Sequence, residues 1–184
     1  MTRFEIKQTQ ISGLVTIVPR TINDERGSLT RIFCDQELGH WIGGRKIRQI
    51  NVTKTMRTGT VRGLHLQCPP FEEMKIVTCR QGEVFDVAVD FRKNSPTYLQ
   101  HHVEILSNIN SKMILLPEGV AHGFQALRDN CELIYLHTEL YEKSSEAGLN
   151  ALDPVLAINW PKKVQFLSIR DQNHPFITIN PKEN

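Results

Sequence analysis

Nowhere in this chain does an apolar residue recur every three to four positions for long enough to make a core helix. The apolar residues come instead in short runs, each cut by glycine, proline, asparagine or aspartate. Runs of roughly four to eight residues separated by such turn signals predict strands, and many of them in series predict an all-β sandwich or barrel. Ile47 to Lys54 alternates cleanly, with Gln49, Asn51 and Thr53 on one face and Arg48, Ile50 and Val52 on the other. Glu83 to Phe91 sets Phe85, Val87 and Val89 opposite Asp86 and Asp90. Further strands are expected over 28–33, 103–106, 111–116, 123–127 and 133–140. Residues 4–18 read as one loose edge strand ending at Pro19. Only 35–41 and the stretch between Pro161 and Pro175 suit short helical turns.

Composition narrows the class further. With 184 residues, 40% of them hydrophobic, the chain is long enough to bury a core and is expected to form one domain over 1–184. No run approaches the ~18 apolar residues of a membrane span, and the start lacks a signal-peptide pattern. Cys34, Cys68, Cys79 and Cys131 show no CxxC spacing, which predicts free thiols in a reducing cytoplasm. With 22 basic against 20 acidic residues, the net charge of +2 offers no field suited to nucleic acid.

The stretch from Val61 to Cys79 carries the most chemistry. It reads as two strands joined by a proline-containing turn, with His65 in the first and Lys75 at the head of the second, facing each other across a hairpin. Downstream, Pro117-Glu118-Gly119-Val120-Ala121-His122 resembles the second motif of cupin jelly rolls. Where the first cupin motif places HxH and a glutamate, this chain has His65, Gln67 and Lys75. An ammonium repels a divalent cation, so a metal is disfavoured and organic acid–base chemistry is expected in its place.

The ordered set of motifs is more specific than any one of them. Arg62-Gly63-Leu64-His65-Leu66-Gln67, Lys75, Asp86 to Arg92, Ser95-Pro96-Thr97, Pro117 to Phe124, Asp153-Pro154 and Trp160-Pro161 together resemble the dTDP-4-dehydrorhamnose 3,5-epimerase family, and Asp24-Glu25-Arg26-Gly27 fits as well. The resemblance implies a cupin-type jelly-roll barrel with short C-terminal helical segments, no cofactor and no metal. It implies an epimerase of a nucleotide-diphospho-4-keto-6-deoxyhexose, inverting C3, C5 or both through an enolate. Residue by residue, His65 matches the base, Asp171 its orienting carboxylate, Lys75 the enolate-stabilising cation and Tyr135 the acid on the opposite sugar face. Arg26 and Arg62 match diphosphate ligands, and Gln49, Asn51 and His122 match pocket-lining positions; Asp86 suits a buried partner of His122. The family's homodimers, in which the N-terminal part reaches the partner's site, imply N-terminal strand exchange.

That assignment is chemically coherent. A proton beside a ketone leaves only if the enolate charge is stabilised, and an imidazole, with an ordinary pKa of about 6.5, suits its removal near neutral pH. Inversion needs a second donor on the other face, and a phenol fits. One detail resists simple alternation: Arg62 falls on the opposite face from His65, unless Gly63 marks a bulge.

Four positions depart from the family pattern: Ile22 for phenylalanine, Arg31 for glutamate, Leu115 for a larger residue, and Leu140-Tyr141 for a tyrosine pair whose first member stacks on thymine. All four read as binding positions, which leaves CDP- and GDP-linked sugars open. Tyr141, His101 and His102 read as surface or packing residues. Two alternatives stay open: a 3,4-ketoisomerase of related cupin type, against which Tyr135 argues because a one-face shift needs no acid on the other, and a catalytically inactive sugar-nucleotide-binding cupin, against which the set of His65, Lys75, Tyr135 and Asp171 argues; a metal-dependent dioxygenase comes last, because this chain lacks its ligand set.

Overall fold

The structure is a computed structural model that describes residues 2–178; the expected domain span of 1–184 reaches beyond them at both ends. Among the described residues there are thirteen strands: β1 (Phe4–Gln8), β2 (Val15–Pro19), β3 (Thr21–Asp24), β4 (Gly27–Thr30), β5 (Gln49–Thr55), β6 (Val61–Gln67), β7 (Lys75–Gln81), β8 (Glu83–Asp90), β9 (His101–Ser107), β10 (Met113–Leu116), β11 (Val120–Ala126), β12 (Cys131–His137) and β13 (Glu146–Gly148). One sheet has the order β1-β2-β10-β7-β12-β5 and the other β13-β6-β11-β8-β9, while β3 and β4 form a separate hairpin. All named strand pairs are antiparallel, and the two large sheets make a jelly roll. Among the described residues, helices are confined to α1 (Asp35–Leu38), α2 (Ile169–Gln172) and a 3-10 turn at Lys143–Ser145.

Three apolar clusters explain why many strands here are buried on both faces. Between the sheets, Val77, Ile114 and Leu133 of one sheet meet Val84, Ala88 and Phe124 of the other. Ile76, Leu115 and Leu136 point outward from the larger sheet and are covered by Leu38 and Ile42. Leu64, Val87 and Val89 point outward from the smaller sheet and are covered by Leu149 and Leu156. Both alternate positions of a central strand are therefore apolar, and β10 and β11 are buried at every residue. Strand β5 is different: its outer side chains Ile50 and Val52 remain 62% and 59% exposed.

Several expectations need correction. Residues 4–18 form two strands, because the chain turns at 9–14 and β1 pairs back on β2 of the same chain. The Val61–Cys79 stretch is not a hairpin: β6 lies in the five-stranded sheet and β7 in the six-stranded one. The seven-residue link 68–74 crosses between sheets, so His65 and Lys75 face each other across the barrel interior.

Arg62 and His65 do share a face. Opposite β6, His122 pairs with His65 and Phe124 with Arg62, so β6 spends one more residue than β11 over the same distance. That β-bulge is centred on Gly63, whose φ of +113° favours glycine. Gly63 also packs against Gly123: a Cβ on Gly63 would stand 2.6 Å from both Gly123 Cα and the His122 carbonyl oxygen. Neither neighbour is a side chain that could swing away.

Gly63→Ala is therefore expected to cost at least about 3 kcal/mol, from a left-handed backbone combined with a backbone clash. Gly44, also left-handed at φ +70° but with open space around its Cβ, is expected to tolerate alanine at about 1–2 kcal/mol. Thermal melts of the two variants check the order; equal losses would remove the close-approach argument.

Candidate active site

The site opens between the sheets, in a cavity of about 260 Å³. Period-2 alternation aims its walls: β5 supplies Asn51 and Thr53, β7 Lys75, β12 Tyr135 and His137, and across the barrel β6 supplies Arg62 and His65 and β11 His122. Deeper along the same strands, Val77, Leu133 and Phe124 continue into the core. The cavity is thus the end of the barrel where the inward side chains turn polar.

His65 Nε2 lies 2.7 Å from Asp171 Oδ1, and Asp171 is 3% exposed. Asp171 arrives from the far end of the sequence on α2, whose first turn is capped by the Ser168 hydroxyl accepting from the Asp171 N–H. Burial pushes the Asp171 carboxyl up, but the His65 bond and charge, the Ser168 hydroxyl and the Gly63 N–H outweigh it and hold the group below its ordinary value. An ionised carboxylate only accepts, so the shared proton sits on Nε2 and leaves Nδ1 of a neutral His65 free to take one.

The opposite wall carries Tyr135. Its ring stands edge-on to His122, centroids 5.9 Å apart, and stacks on His137 at 6.0 Å. Burial, reinforced by the Asp86 carboxylate, pushes the phenol well above its ordinary value, so it keeps its proton as a donor. His122 Nε2 is 2.8 Å from Asp86 Oδ2, both groups buried, which is the fixing role that Asp86 suits. Lys75, only 11% exposed, pairs with Glu73 at 3.1 Å.

Not every expected position reaches the cavity. Arg62 lines it, with its guanidinium donating to Thr55 Oγ1 and the Lys54 carbonyl. Gln49 is not among the lining residues; its side-chain oxygen accepts the Tyr141 N–H. Arg26 sits on the tip of the β3–β4 hairpin, paired with Asp24 and solvent-exposed, and does not line the cavity of its own chain. Leu115, read as a binding position, is fully buried under the outer face of the larger sheet. Leu140 is exposed and off the cavity, whereas Tyr141, read as a surface residue, lines it and donates to Glu146 Oε2.

Sequence reasoning also missed Glu73, His137, Glu146 and Arg170. Arg170 bridges both Glu146 oxygens at 2.8 and 2.9 Å, with Nη2 3.1 Å from His65 Nε2. Its place beside Asp171 in sequence was the available signal. Gln67, at a cupin metal-ligand position, instead ties the 68–74 and 140–142 segments together by donating to the Phe71 and Leu140 carbonyls and accepting the Glu142 N–H. The donor atoms of His65, Asp171 and His174 lie within 4.8 Å of one another, a spacing a metal could use. Arg170 Nε, 3.5 Å from Asp171 Oδ1, puts a fixed positive charge against that spot, which fits a metal poorly.

Comparison with known proteins matches this geometry. The profile of the dTDP-4-dehydrorhamnose 3,5-epimerase family covers residues 8–178. The chain belongs to that family. It is 39% identical to a Shigella flexneri dTDP-4-dehydrorhamnose 3,5-epimerase, over 90% of this chain and 92% of the relative. It is 38% identical to a Streptomyces niveus dTDP-4-dehydrorhamnose 3-epimerase, over 89% and 79%. A crystal structure of dTDP-6-deoxy-D-glucose-3,5-epimerase from Legionella pneumophila, in complex with dTDP-4-keto-L-rhamnose, superposes with a TM-score of 0.88 at 38% identity, covering 94% of this chain and 92% of that one. The fold is accordingly the cupin-type jelly roll of this epimerase family, and the chain is an isomerase-class sugar epimerase.

The depressed Asp171 pKa has a stability consequence. Its folded value lies below the unfolded one, so its contribution is complete above roughly pH 4 and is lost as pH falls through the folded value. Urea melts of wild type and Asp171→Asn should differ most at neutral pH and converge below about pH 4. A gap that stays constant across that window would contradict the ion-pair origin of the shift.

Proposed function

We propose that the protein inverts the carbons flanking the C4 ketone of a dTDP-linked 4-keto-6-deoxyhexose, with His65 as base and Tyr135 as acid. The observation that carries the reading is their placement: a histidine on a buried carboxylate and a proton-holding phenol project from opposite sheets into one cavity.

The chemistry follows from that arrangement. His65 Nδ1 takes the proton from the carbon beside the ketone, and the electron pair of that C–H bond moves to the carbonyl oxygen. The ammonium of Lys75 opposes the enolate charge that develops there. Tyr135 delivers a proton to the other face of the same carbon, and solvent restores both groups. Proton count and electrons balance without a redox partner. Arg62 is suited to the diphosphate as a fixed, always-protonated fork. Tyr141 lines the cavity and offers an aromatic face on which a nucleobase can stack even though Leu140 cannot, and the dTDP sugars named for the relatives favour that base.

The full site is completed by a second copy. The β3–β4 hairpin exposes Ile22 and Leu29, and β5 exposes Ile50 and Val52, an apolar strip of the kind that a subunit interface covers. A homodimer through this strip would carry Arg26 toward the partner's cavity. One epimerase domain acting in the cytoplasm, without nucleic-acid or membrane partners, fits this reading. Among the described residues no helix is long and apolar enough to cross a membrane.

Proton exchange in D2O tests the proposal. With dTDP-, CDP- and GDP-4-keto-6-deoxyglucose in parallel, NMR should show deuterium entering C3 and C5 of the dTDP sugar fastest. Deuterium at C3 alone would identify a 3-epimerase, the activity named for the Streptomyces relative. His65→Ala should lower exchange at least a hundredfold, about the size of a lost general base, with an unchanged melting curve. Tyr135→Phe should retain exchange on one face while losing inverted product. Exchange that survives His65→Ala, or is absent for all three sugars, would overturn the reading.

A further inference from the structure

Lys75 does not meet the cavity as a free cation. Glu73 Oε1 sits 3.1 Å from its Nζ, and Glu73 Oε2 sits 2.7 Å from His137 Nδ1. All three are nearly buried, with side chains 11%, 7% and 12% exposed. The contacts are built by register, because His137 pairs directly with Lys75 across β12 and β7, while Glu73 lies two residues before Lys75 near the end of the crossover. His137 lines the cavity and stacks on Tyr135, and its Nε2 lies 3.4 Å from Asn51 Nδ2. This is a third histidine–carboxylate pair at the cavity, after His65–Asp171 and His122–Asp86, and its histidine stands on the sheet opposite the other two.

Charge counting shows what the pair changes. A carboxylate 3.1 Å from the ammonium offsets part of the positive charge that the cavity would otherwise feel. With His137 neutral, the Lys75–Glu73–His137 group sums to zero; with His137 protonated it sums to +1. Burial pushes the Glu73 carboxyl up, yet the His137 bond and the Lys75 charge outweigh it and keep it ionised. The other charges around His137 are already committed. Arg48 pairs with Glu139 just past β12, and across the cavity Arg170 is held by Glu146, His65 by Asp171 and His122 by Asp86. Arg62, bonded to Thr55 and Lys54, is the remaining cation on the lining.

The geometry points to Glu73 and His137 as positioning residues for the epimerisation. Glu73 fixes the Lys75 ammonium at the ketone, and a protonated His137 returns the positive charge that Glu73 cancels. The inference rests on the enolate reading above. It predicts that turnover requires two histidines in opposite states, His65 neutral to accept a proton and His137 protonated to hold the field.

The test is the rate of deuterium wash-in to dTDP-4-keto-6-deoxyglucose across pD 5 to 9, separated into kcat and KM, for the full chain and its variants. The wild-type rate should pass through a maximum whose descending limb belongs to the Glu73–His137 pair. His137→Asn should lose the descending limb and run about tenfold below the wild-type maximum, in kcat with KM little changed. Glu73→Gln should also lose that limb but hold its rate at high pD, because Lys75 is no longer neutralised. Circular dichroism and melts check folding, and His137→Gln carries the test if either variant fails to fold. A descending limb unchanged in these variants overturns the inference. His65→Ala in the same assay keeps the two readings apart: if it still exchanges, the enolate reading itself has failed.

Discussion

The contact between Gly63 and Gly123 is the constraint on which this site depends. Two backbones approach closely enough that neither position has room for a Cβ. The approach lets β6 carry an extra residue against β11 without losing its place in the sheet. Without the bulge, alternation would send Arg62 to the outer cluster that Leu64 and Leu66 occupy, and the cavity would lose its guanidinium. The bulged segment also presents its Gly63 N–H to the second oxygen of Asp171, so the same irregularity that aims the arginine helps hold the carboxylate behind His65.

Around that point the chain closes on itself. The Asp171 carboxylate comes from a four-residue helix more than a hundred positions beyond His65, and its helix is docked where the tail returns across the smaller sheet. Asn150 donates to the carbonyls of Gln172 and His174, and Thr60 bridges to Phe166. A short helix of this length is not stable alone; tertiary contacts hold it, and the Ser168 cap sets its start. The base is therefore only as well oriented as the packing of the tail, which couples the acid–base geometry to the stability of the whole outer layer.

The parts of this arrangement legible in the sequence are those that alternation controls. Lys75, Tyr135 and Asn51 fall on inward faces because Val77, Leu133 and Thr53 share their parity, and the all-β class follows from the same short runs. What alternation could not supply were the breaks in it. Gly63 hinted at the bulge without deciding it. The link 68–74 is short enough to pass for a hairpin loop, so which sheet β7 joins depends on pairing with β10 and β12, residues far away in sequence. Glu73 and Tyr141 lie just outside strand ends, where period 2 carries no information. Arg26 was reached by resemblance alone, and within one chain its hairpin leaves it in solvent.

The sandwich itself bears on the stereochemistry. Packed sheets stand about 10 Å apart, a gap that a sugar ring can occupy with one face toward each sheet. Inversion at carbon needs a proton removed on one side and supplied on the other, and a jelly roll with its acid and base on opposing sheets provides this separation without domain motion. A ketoisomerase working on one face would gain nothing from a phenol on the far wall. The charged groups divide in the same way: the smaller sheet brings His65 on Asp171 and His122 on Asp86, with Arg170 beside the first, and the larger sheet brings His137 on Glu73 with Lys75 beside it. Each wall thus carries an imidazole held by a carboxylate with a cation beside it, so the ring between the sheets meets a fixed hydrogen-bonded group on either face.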